Sequence, residues 1–154
     1  MSGLDESVWT EVATFVSKGR IGLPLAARKR ISWWPGDLSD GLLAILEPGS
    51  AAWIEPWAIR GEELLRRAEQ MIRTAQPATK SSLVLAAMDR YMRVSCETNG
   101  RLVFPTNLIA HIDPTDSGKA RVIVADGSLK VCSEQEWRAG RSERLVTLEK
   151  ALAL

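Results

Sequence analysis

Two tripeptides, Lys18-Gly19-Arg20 and Asn99-Gly100-Arg101, carry the residues best suited to chemistry in this chain. Each pairs a glycine, free to adopt the backbone of a tight turn, with an arginine whose guanidinium stays charged and fits phosphate or guanine through forked hydrogen bonds. Around the first turn, Lys18, Arg20, Arg28, Lys29 and Arg30 supply five positive charges, and no acid intervenes between Glu11 and Asp37. That block suits a polyanion, although a basic run at a helix C-terminus also answers the helix dipole. Near the second turn only Arg101 is a fixed cation, so the expected footprint leans toward the first.

Other chemistry is sparse. His111 is the only histidine, and Cys96 and Cys132 lack the spacing of a zinc site or a disulfide framework, which leaves them as small buried hydrophobes. The Gly118-Lys119 pair resembles the end of a phosphate loop, but Asp113 stands where that loop needs glycine and Ala120 where it needs Ser or Thr. Glu62-Glu63 and Glu134/Glu136 fall at expected helix starts, where acids favour the dipole. The expectation is therefore a protein that is not an enzyme and takes no cofactor, metal or small-molecule substrate.

With 154 residues, 45% hydrophobic and 25% charged, the chain has the composition of one folded globular unit. Twenty basic against nineteen acidic residues leave a net charge of +1, so a polyanion site must be local rather than spread over the body. No run approaches the roughly 18 apolar residues of a membrane helix, and the polar, acidic start is unlike a secretory signal. A cytoplasmic protein with no membrane partner is expected.

The elements that must position the two turns are themselves repeated. KGRIGLP at 18–24 recurs as NGRLVFP at 99–105, 81 positions later, and apolar segments at 12–16 and 92–96 precede the two copies. Each copy reads as strand, tight turn, strand, then a short helix after proline, at 25–31 and 106–112. A strand pair follows in both, 42–46 with 52–54 and 121–124 with 129–132. These align at an offset of 78, which puts a three-residue insertion at Trp33-Trp34-Pro35-Gly36.

Polar segments with Glu and Trp, 55–57 and 134–137, then open helices. Leu64, Leu65, Ala68, Met71 and Ile72 make one face of an amphipathic helix over 62–73, ended by Gln76-Pro77. Ser81 or Ser82 is expected to cap a further helix to about residue 88, and 142–154 reads as weakly helical. The six tryptophans suit core and interface packing, and Trp33-Trp34, inside the insertion, is expected to contact a partner or another subunit.

The strand, (Asp)-x-x-Gly-Arg turn, apolar strand and proline resemble the AbrB/SpoVT half-motif. Two such halves, each followed by a strand pair and a Glu/Trp helix and separated by a helical spacer, resemble the MraZ family over about residues 8–150. The resemblance implies an α+β fold, a pseudo-twofold intertwined double-hairpin β-barrel with flanking helices. Residues 1–76 would form the N-terminal repeat with its spacer helix and 77–154 the C-terminal repeat, the two making one compact unit. It further implies ring-like homo-oligomers and sequence-specific binding of tandem DNA boxes by a bacterial transcriptional regulator working on the nucleoid.

The family's motif positions carry over to Lys18, Gly19 and Arg20 and to Asn99, Gly100 and Arg101, with Arg28, Lys29 and Arg30 read as further phosphate contacts. Where the family has Asp, this chain has Val16 and Glu97. Val16 can neither hold the first turn nor orient its arginine as a carboxylate would, so this departure is expected to fall on the first copy. The alternative left open is a double-hairpin protein that has lost DNA binding and uses its Trp-bearing surfaces for assembly.

Overall fold

Strict alternation marks the segment 119–125, where Ala120, Val122 and Val124 are wholly buried and the residues between them are not. One face of such a strand lines a core and the other meets solvent or a covering helix. In the computed structural model, which describes residues 6–34, 36 and 38–153, eight antiparallel strands form a nearly closed barrel in an α+β chain. The strands are β1 (Trp9–Thr14), β2 (Arg20–Gly22), β3 (Leu42–Glu47), β4 (Ala51–Pro56), β5 (Tyr91–Cys96), β6 (Arg101–Val103), β7 (Lys119–Ala125) and β8 (Ser128–Cys132).

Around them lie α1 (Leu25–Arg28), α2 (Trp57–Thr74), α3 (Pro77–Arg90), α4 (Thr106–Ile112), α5 (Glu134–Ala139) and α6 (Arg141–Ala153). Strand order is β1-β7-β8-β4-β3-β5-β6-β2, and the bridge between Val16 and Arg20 brings the chain beyond β1 back to β2. This single bridge joins the two edge strands only where Val16 meets Arg20, so the barrel is nearly rather than fully closed. Ile21, Leu42, Ile54, Val94, Leu102, Val122, Val131 and their neighbours fill the interior, with Leu108 and Ile112 of α4.

The two copies interleave. β1 of the first pairs with β7 of the second, and β5 of the second pairs with β3 of the first. The β1–β7 and β5–β3 registers are equivalent under exchange, Val12 opposing Arg121 as Arg93 opposes Leu43, whereas the hairpins differ by one residue, Glu47 opposing Ala51 in β3–β4 and Ala125 opposing Ser128 in β7–β8. Arg20 opposes Val103 and Gly22 opposes Arg101 about a central Ile21–Leu102 pair. On the opposite wall, Ala51 opposes Cys132 and Ile54 opposes Leu129. Each of these sets maps onto itself under exchange, so the relation passes through the β2–β6 contact and the β4–β8 contact.

Several expected boundaries move. β1 runs 9–14 rather than 12–16, because its ladder is taken by β7, and Phe15 then donates its backbone N–H to Gly118 before Val16 meets Arg20. α1 stops at Arg28, followed by single turns to Ile31. α3 begins at Pro77, not at Ser81 or Ser82, since proline at a first helical position sacrifices only an N–H that had no partner there. β3 is buried on both faces, because α2 and α3 cover Leu43 and Ile45 on its outer side.

Candidate nucleic-acid interface

Residues directly opposed in an antiparallel ladder share a face, and alternate residues return to it. Ile21 and Leu102 point into the core with no exposed surface. Arg20, Val103 and Arg101 therefore stand on the outer face, as do Ser95 and Glu97 on β5 and its extension. Arg20 and Arg101 are diagonal neighbours across β2–β6, a relation that sets Cβ atoms about 7–8 Å apart. Both sequence-predicted arginines thus meet on one outward surface, at the two ends of a three-residue ladder.

Each turn is built on a glycine with positive φ, 73° at Gly19 and 85° at Gly100. Each also has a lid from the other copy. A side chain at Gly19 would lie 2.6 Å from Ile109 Cδ1 and 2.7 Å from the Phe104 carbonyl oxygen, so α4 of the second copy closes over turn one. At Gly100 the nearest atom would be Arg28 Nη1 at 3.1 Å, so α1 of the first copy closes over turn two. Ile109 and Arg28 occupy the same place in the repeat, and one is apolar where the other is a cation.

Electrostatics separate the turns further. Arg20 Nε donates to Glu97 Oε1 at 3.0 Å, with both side chains about a third exposed. Glu97 is the repeat's equivalent of Val16, and it sits opposite Arg101 in the second turn, where its N–H donates to the Arg101 carbonyl. Its carboxylate reaches across the ladder to the other copy's arginine. The exchanged contact would join Val16 to Arg101, and valine has nothing to offer a guanidinium. Among the described residues Arg101 has no carboxylate partner, and Asn99 Oδ1 accepts only its backbone N–H, at 3.1 Å.

The missing acid in copy one therefore releases the arginine of copy two. This corrects the expectation that the Val16 departure falls on the first copy. The first copy's cations also disperse. Arg28 lies against turn two with its Nε buried and unpartnered. Lys29 is exposed, and Arg30 donates to the carbonyl oxygens of Glu6 and Ala26, tying α1 to the N-terminal segment. The Lys18 side chain lies outside the described residues.

Trp33 and Trp34 are half-buried, with ring centroids 5.9 Å apart, and pack on the core; Pro35 between them and Gly36 lies outside the described residues. Three partnerships escaped the sequence reading. Trp57 lies under the Arg93 guanidinium at 3.4 Å, and Trp137 is flanked by Arg144 at 3.7 Å and Arg121 at 4.9 Å. Arg121 also grips Glu134 through two bonds of 2.8 and 2.7 Å, and those bonds hold the carboxyl below its usual range. The Glu/Trp segments were visible, but Arg93 and Arg121 come from strands that only the fold brings near, while Arg144 comes from the adjoining α6.

The remaining reactive types are occupied structurally. His111 Nε2 lies 3.0 Å from the carbonyl oxygens of both Glu47 and Ala51, where it closes the β3–β4 turn. Burial pushes the Cys132 thiol up to about 11 and raises that of Cys96. Among the described residues no group of three or more His, Cys, Asp or Glu is placed to hold a metal ion, and no helix is long and apolar enough to cross a membrane. Comparison of the chain with models of known protein families and with curated proteins found no match.

Proposed function

We propose that this chain is a MraZ-type, sequence-specific DNA-binding transcriptional regulator that engages duplex DNA through the outer face of β2–β6. The observation that carries the reading is the meeting of Arg20 and Arg101 on that face, with Arg28 packed against the Gly100 turn beside it; Arg101 and Arg28 have no acid partner among the described residues. Guanidiniums that lack an internal carboxylate are available to phosphate oxygens or to guanine edges. Lys29, exposed at the end of α1, extends the cationic surface. In this reading the family's swapped double-hairpin barrel is the scaffold, and ring-like self-association lets weak single contacts add over tandem boxes. The work would be done in a bacterial cytoplasm, on the nucleoid.

A gel-shift titration on DNA upstream of the chain's own gene, repeated across salt concentrations, tests the reading. Each phosphate contact contributes about 0.9 to the slope of log affinity against log salt. Arg101→Ala is expected to lower the slope by about that amount and to weaken binding more than Arg20→Ala does. Absence of any shift at low salt would refute it.

A second reading, an assembly or interaction protein that has lost DNA binding, is favoured by α6. Every described residue of that helix is exposed, including Leu145, Leu148 and Leu152 on one stripe. A free helix of this length is marginal in water, so a covering partner would stabilise it. Native mass, compared with that of a Leu145→Ser/Leu148→Ser variant, separates the readings: a fall in mass supports assembly through α6, and retained DNA binding by the variant shows the two functions to be independent.

A further inference from the structure

The outer face of β2–β6 holds two symmetry-related arginines and one carboxylate. Glu97 stands opposite Arg101 in the ladder extension but bonds Arg20. In the place related to Glu97 by exchange of the copies stands Val16, bridged to Arg20 through backbone bonds alone. Arg20, Arg101 and Glu97 together therefore carry a net single positive charge, and it is localised at the Arg101 end. The Arg28 guanidinium deepens the imbalance, because it lies against the same turn with a buried Nε that no group in the described chain accepts.

We propose that Glu97 is a negative determinant of polyanion binding on this face. It holds Arg20 in an internal ion pair, so that turn two, with Arg101 and Arg28, makes the strong contacts and the pseudo-symmetric unit meets DNA with a built-in polarity. The inference rests on the DNA-binding reading above and adds to it an unequal division of labour between the turns. The pair is only partly buried, so a phosphate competing for Arg20 must displace Glu97 at modest cost. Removing the carboxylate should then recruit Arg20, and supplying the missing one opposite Arg101 should silence the dominant end.

The test is a charge series read through salt dependence on a mixed-sequence duplex DNA. Counting Arg20, Arg101 and the acids beside them, Val16→Glu leaves no net charge, the natural chain one positive charge and Glu97→Gln two. The log–log salt slope is expected to rise along that series by about 0.9 per step, with affinity at low salt rising in the same order. Glu97→Asp should keep the natural slope and Val16→Gln should not reproduce Val16→Glu, which separates charge from shape. Circular dichroism melting of each variant checks that the barrel is intact.

Binding by the natural chain with a slope that neither Glu97→Gln nor Val16→Glu moves would overturn the role of Glu97 while leaving the DNA-binding reading standing. No retention of duplex DNA by any member of the series at low salt would overturn both. Binding by Glu97→Gln where the natural chain shows none would support Glu97 as the restraint.

Discussion

Turn one is closed over by Ile109 and its arginine is held by Glu97, whereas turn two is closed over by Arg28 and its arginine has no acid partner among the described residues. The two turns share backbone form, register and a glycine with positive φ. Their difference shows that a repeat can preserve a scaffold while its two surfaces diverge. It also shows where the divergence is written. In a pair of interleaved copies the environment of each turn is composed by the other copy, so a substitution in one copy acts on the turn of its counterpart.

Packing around the glycines offers the sharpest way to break the comparison. Gly19→Ala combines left-handed strain with a clash against a main-chain carbonyl that cannot turn aside, and is expected to cost about 3 kcal/mol in urea-unfolding free energy. Gly100→Ala meets only the end of the Arg28 side chain, which can move, and should cost about 1–2 kcal/mol. Equal losses would show that the lids over the two turns are mechanically alike.

Next in size is the segment that follows each lid helix. In copy two, Asp113, 5% exposed, accepts hydrogen bonds from Ser117 Oγ at 2.7 Å, Ser117 N at 3.0 Å and Gly118 N at 2.8 Å. In copy one the equivalent residue, Ser32, instead donates across to the Gly127 carbonyl. Burial alone would push the Asp113 carboxyl up, but the Ser117 and Gly118 bonds outweigh it and hold the carboxyl below its usual range.

A depressed folded-state value contributes stability above the unfolded value near 3.9, and that contribution is lost as pH falls through the folded value. Asp113→Asn should therefore lose about 2 kcal/mol at pH 7 and progressively less in acid below about pH 4. Denaturation midpoints at neutral and acid pH check this, and a pH-independent loss would argue against the carboxylate.

Arg28→Met makes the lid of turn two resemble that of turn one. Removing a buried donor without an acceptor is expected to raise stability by about 1 kcal/mol, read as a higher melting temperature, while lowering DNA affinity. A loss of stability would mean that the guanidinium has an internal role. Smallest of all is the Arg20–Glu97 pair itself. A double-mutant cycle should return less than about 1 kcal/mol of coupling in folding free energy, because both groups are partly solvated. A larger value would make the pair a structural tie rather than a surface restraint.

Much of the scaffold was legible. The repeated Gly-Arg-apolar-Pro phrase located both turns, the strand pair recurring in both copies located β7 and β8 to within two residues, and 106–112 was read as a helix with its observed limits. Element ends proved harder to read where a long-range ladder competes with local preference, as when β7 takes 9–14, or where proline starts a helix rather than only following one. The candidate site was half legible. Arg20 and Arg101 were visible as paired features, but the expectation that copy one would be the more strongly cationic end reversed once Arg28 was seen against Gly100 and Glu97 against Arg20.

Residue order alone determined that there are two equivalent turns, that each needs glycine, and that one acid of a matched pair is absent, since these depend on neighbours along the chain. Tertiary structure alone decided which arginine that absence sets free. Glu97 and Arg20 are 77 positions apart, and only the β2–β6 ladder brings them within 3.0 Å. Charge pairing falls steeply with distance and with exposure to solvent, so it is settled by which strands lie side by side rather than by which residues adjoin in sequence.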